Sequence, residues 1–66
     1  MTRDEAQQAA IARWRELPLA NQTILNAPEF AKLLAPTLEF HTVANREKII
    51  AAWLVQDVER RSHYQM

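Results

Sequence analysis

The chain has 66 residues, 48% of them hydrophobic, with eight basic and eight acidic side chains that leave no net charge at pH 7. A chain this short holds one domain, residues 1–66, and a domain of that size buries only about 60% of the surface its unfolded form exposes. The charge balance removes any overall attraction to phosphate backbones or anionic lipid, and the lack of cysteine excludes disulfides and fits a reducing compartment, the cytoplasm.

Zero glycines and eleven alanines exclude more. Phosphate-binding loops, dinucleotide fingerprints and the nucleophile elbow of serine hydrolases need backbone conformations that only glycine adopts cheaply. Tight Asn-Gly or Asp-Gly hairpins are absent as well. Such a composition describes a chain made mostly of helix. Met1 to Glu5 lacks the basic start and apolar stretch of a signal peptide. The longest apolar run, Ile49 to Val55, falls far short of the roughly 20 residues that span a bilayer, so no membrane association is expected.

Thr2 followed by Glu5 matches a capping box and predicts the start of the first helix. Ala6, Ala10, Ile11, Trp14 and Leu17 recur at helical spacing as its apolar stripe, and Pro18 ends it. Leu19 to Leu25 reads as a short helical turn in which Leu19, Ile24 and Leu25 seek burial. Asn26, Pro28 and Glu29 signal another helix start. Phe30, Leu33 and Leu34 are its expected buried face, and Pro36 its break.

Thr37 to Val43 alternates like a strand, with Leu38 and Phe40 on one side and Glu39 and His41 on the other. No partner strand is in sight, so the segment is expected as a helical turn or an extended connector unless two chains pair there. Thr42 or Asn45 caps a last helix that runs to about Arg61, with Ile50, Trp53, Leu54 and Val58 as its core stripe. Trp14 and Trp53 read as core, paired across the first and last helices, with Phe30 and Phe40 closing the ends.

Chemistry-bearing residues are few. His41 and His63 are the only histidines, without the spacing of a zinc site. Glu39 with His41 makes no convincing catalytic pair, and Ser62 is the only serine. No catalytic residue, cofactor, metal or small-molecule substrate is expected. The basic groups Arg13 with Arg15, Arg46 with Lys48, and Arg60 with Arg61 each have an acidic neighbour, Glu16, Glu47 and Glu59, and read as solvated helix surface.

The expected fold is all-α, a small bundle of three to four helices. Ile49, Ala52 and Val55 lie off the core stripe of the last helix and make a candidate protein interface, through which a homodimer would form. The expected function is that of a small non-enzymatic protein-interaction module, a regulator, adaptor or inhibitor that docks on itself or on a larger protein. The alternative is a helix-turn-helix-like DNA-binding regulator that uses Asn45, Arg46 and Lys48 at the start of the last helix. Against it stand the long connector and the lack of a glycine in the turn.

Overall fold

The computed structural model describes the backbone of residues 1–64 and side chains as far as Arg61, and the described residues form three α-helices and no strand. They are α1 (Arg3–Arg15), α2 (Ala27–Leu34) and α3 (Arg46–Tyr64), with single 3₁₀ turns at Leu19–Asn21 and Ala35–Thr37. No described residue has a positive φ and no peptide bond is cis, so the absence of glycine costs this backbone nothing.

The capping box predicted for α1 is formed: the Glu5 amide donates to the Thr2 hydroxyl at 3.1 Å, and the Thr2 amide donates to the Glu5 carboxylate at 2.9 Å. These bonds satisfy two of the amides that a helix start leaves without partners. Pro18 stops α1 as expected, two residues past its cap at Glu16. At α2, Pro28 occupies the first turn, but Asn26 gives no side-chain cap and its side-chain Nδ2 donates instead to the Asn21 carbonyl at 2.9 Å. Asn45 is the cap of α3, accepting from the Glu47 amide at 2.9 Å, while the Thr42 hydroxyl accepts from Ala44 in the preceding turn.

Helix α3 packs on both α1 and α2. Trp14, Leu38, Ile50 and Leu54 are fully enclosed, with Ala6, Ala10, Ala27, Ala31, Leu34, Ala35, Phe40 and Trp53 completing one core. Burying each large side chain contributes about 1.5–3 kcal/mol. The connector after α2 behaves as its alternation predicts, with Leu38 and Phe40 buried and Glu39 and His41 exposed. It needs no partner strand, because its buried side chains are absorbed by the helices.

Three packing expectations change. The tryptophans do not stack on each other; Trp14 packs on Phe30 with ring centres 5.6 Å apart, and Trp53 on Phe40 at 5.3 Å. Of the face expected for α2, Leu34 is buried, Phe30 is half-buried against the core and Leu33 is exposed, while Ala27 and Ala31 line the inner face. Leu19, Ile24 and Leu25, expected to seek burial, are exposed. On α2 the alanines take the inner face, Phe30 packs at its edge against Trp14, and Leu33 is left outside.

Candidate functional site

Two arrangements stand out. The first is polar and joins three parts of the chain. Asp57 lies on the core stripe of α3, three residues after Leu54 and four after Trp53, and is only 5% exposed. Its carboxylate accepts from Arg15 Nη2 at 2.7 Å and lies 3.2 Å from Arg61 Nη2, one turn along α3. Arg61 also donates to the side-chain oxygen of Gln22, and the Gln22 amide donates to the Leu17 carbonyl at 2.7 Å and the Arg15 carbonyl at 3.4 Å. The hydrogen bond to Asp57, and then its negative charge, raise the pKa of Arg15 above its ordinary value.

This network ties the end of α1 and the turn after it to the middle of α3. Within it, Asp57 Oδ2 and Arg61 Nε are buried without a hydrogen-bond partner, although Oδ2 lies 3.2 Å from Arg61 Nη2. Arg15 stays largely exposed, as expected of helix surface, but the acidic partner of Arg15 and of Arg61 is the buried Asp57, where Glu16 and Glu59 were expected. Among the described residues every ion pair is made by Asp57.

The second arrangement is apolar and exposed. The turn before α2 is already helical, since the amides of Asn26 and Ala27 both donate to the Thr23 carbonyl at 3.1 Å. Continuing that turn into α2 places Leu25, Glu29 and Leu33 at i, i+4 and i+8 on one face. This face is opposite to Ala27, Ala31 and Leu34. Leu25 is 87% exposed and Leu33 is 70% exposed. Lys32 stands beside them, and Leu19 and Ile24 add exposed apolar surface from the segment before α2.

Beside this face runs an open groove of about 370 Å³ lined by Leu17, Asn21, Asn26, Glu29, Phe30 and Leu33. A neighbouring hollow shares Leu17, Phe30 and Leu33 and is bordered by Arg13 and Glu16. Leu17 and Phe30 are half-buried and pack on the core, so the groove has an apolar floor held in place from beneath. Leu25 and Leu33 stand about 12 Å apart along this face with Glu29 between them, and the groove beside Leu33 adds a concave apolar surface.

The residues singled out from the sequence fall elsewhere. Ile49 and Val55 are half-buried and pack against the chain's own core, while Ala52 is exposed. Asn45 is occupied in capping, the Arg46 guanidinium reaches the Leu38 carbonyl at 3.4 Å, and Lys48 is exposed. His41 is exposed and borders a polar crevice with Met1, Glu39 and Arg46. The side chains of Ser62 and His63 lie outside the described residues. Among the described residues no group of three potential ligands could hold a metal ion, and no helix is long and apolar enough to cross a membrane.

The outward face of α2 was legible in principle, because Leu25 and Leu33 are eight residues apart around an acidic residue. Reading Leu33 as core hid it. No family model, no curated protein and no solved structure matches this chain.

Proposed function

We propose that this chain is a non-enzymatic protein-interaction module, a small regulator, adaptor or inhibitor, whose docking surface is the outward face of α2 with the groove beside it. The observation that carries this reading is the exposure of Leu25 and Leu33 on one helical face, 87% and 70% respectively, in a chain whose core is already complete without them. Helices dock into partners by such i, i+4, i+8 anchors, and a rigid helix loses little freedom on binding.

A contact through Ile49, Ala52 and Val55 has less to offer, since two of the three are partly covered by the chain's own core. The DNA-binding alternative draws no support from the start of α3. Asn45 and Arg46 are engaged with backbone groups and Glu47 lies between the two cations, which opposes the phosphate contacts that such binding depends on.

A photo-crosslinking residue at position 33, compared with one at the exposed Gln8 of α1, tests the reading in the native cell. Protein adducts from position 33 and none from position 8 are the expected result. Equal labelling at the two positions, or no protein adduct from position 33, refutes it.

A further inference from the structure

We infer that the partner segment taken up at this docking surface is a basic amphipathic helix, seated in the groove beside α2 with its cations against Glu29 and Glu16. The inference rests on the docking role proposed for the surface and adds the chemistry of its occupant. The groove and the neighbouring hollow share Leu17, Phe30 and Leu33, so together they form one trough between the end of α1 and the side of α2. Its floor is apolar. Glu29 stands at its rim from α2, and Glu16 from α1.

Shape and area select a helix. The walls of the trough are helices, whose backbone groups bond within themselves, so an extended strand finds no ladder to join. An open apolar trough between two helices instead receives the apolar stripe of a third. Leu34 is buried, which leaves Leu33, 70% exposed, with the half-buried Leu17 and Phe30 as the accessible floor. Three side chains supply far less than the ~800 Å² per partner of a standard interface. That area suits a segment of a few turns and not a second folded copy.

Charge selects a basic one. Neither Glu29 nor Glu16 makes an ion pair within the chain among the described residues. The cations nearby do not answer them: the Arg13 guanidinium, at the edge of the hollow, donates to the Thr37 hydroxyl at 3.5 Å, and Lys32 lines neither hollow. At about 100° per residue, Leu33 and Phe30 lie about 40° and about 100° to one side of Glu29 around α2, and Lys32 about 60° to the other. A helix whose apolar stripe is flanked by lysine or arginine therefore sets a cation at each rim while the stripe covers Leu33. The contact is small and its ion pairs are exposed, which makes it reversible, with a Kd on the order of 100 μM.

Two peptides of about 16 residues, long enough to hold a helix, serve as probes; both carry the same leucine stripe, flanked by lysines in one and by glutamates in the other. The chain has no net charge, so a preference between them reports the local charge of the trough. Titrations followed by backbone amide shifts are expected to show the lysine peptide binding, with shifts centred on Leu17, Glu29, Phe30 and Leu33, and the glutamate peptide binding about tenfold more weakly or less. Glu29→Lys should weaken the lysine peptide about threefold or more and strengthen the glutamate peptide, and Leu33→Asn should weaken both. Far-ultraviolet dichroism confirms that each variant is folded. Equal binding of the two peptides, no binding of the lysine peptide up to about 1 mM, shifts centred away from the trough, or a preference unchanged by Glu29→Lys overturns the inference. Cellular adducts from position 33 to a segment without basic residues overturn this occupant and leave the docking role standing.

Discussion

Replacing Asp57 by alanine removes the group on which Arg15, Arg61 and, through Arg61, Gln22 converge. Deleting one partner of a buried ion pair typically costs 3–5 kcal/mol, because the remaining charge is left uncompensated. Here the arginines escape part of that penalty. The Arg15 side chain is 61% exposed and that of Arg61 31% exposed, so water recovers most of the first and some of the second. What is lost is one well-formed charged hydrogen bond, a second contact to Arg61 and the order these impose on Gln22, which gives about 2–3 kcal/mol. In a domain of this size that lowers Tm by roughly 10–20 °C. Thermal and urea melts followed by dichroism measure it. Arg15→Gln, which removes the exposed partner, is expected to cost less than about 1 kcal/mol. A loss below about 0.5 kcal/mol for Asp57→Ala, within the range of an ordinary surface change, would show that the network does not hold α1 against α3.

The Glu5 carboxyl is held below its ordinary value of 4.5 by the backbone amide of Thr2 and then by the Thr2 hydroxyl. The unfolded chain therefore takes up this proton first, so the contribution of the capping box is present above pH 4.5 and is lost as pH falls through the lower folded value; the protection of the first-turn amides of α1, measured against the exchange rate of the unfolded chain at the same pH, should fall there in the wild type and stay level in Glu5→Gln. Trp14→Ala empties the centre of the core and is expected to cost about 3–5 kcal/mol, enough to unfold the chain at room temperature. Trp14→Phe should cost much less than its lost volume implies, because it also removes an indole N–H that is buried without a partner, and Trp53 fluorescence in a urea titration reads the difference. Leu25→Glu and Leu33→Glu should leave Tm unchanged within about 0.5 kcal/mol, since both side chains already stand in water.

The helix starts were readable because capping is local chemistry. Thr2 with Glu5 specifies α1, and Asn45 specifies α3, within a few residues of chain. The stripe of α3 was readable for a similar reason, since Ile50, Trp53 and Leu54 are large, apolar and correctly spaced. Helix α2 defeated the same logic. Its inner face is built from Ala27, Ala31 and Leu34, and periodicity weighted by size favours Phe30 and Leu33 over alanines. Only the three-dimensional fact that Trp14 and Phe30 occupy the neighbouring space makes alanine the residue that fits. Asp57 carried a visible signal. An acidic residue in register with Ile50, Trp53 and Leu54 must be buried with a cation, and Arg61 stands four residues on; the second cation, Arg15, comes from a distant part of the chain that spacing does not reveal.

The most direct test of where this protein docks is a crosslink map in the native cell, with a photo-reactive residue placed in turn at positions 25 and 33 on the outward face of α2, at the exposed position 52 of α3 and at the exposed position 8 of α1. Protein adducts concentrated at positions 25 and 33 are the expected result. Adducts concentrated at position 52, or none from positions 25 and 33, would contradict it.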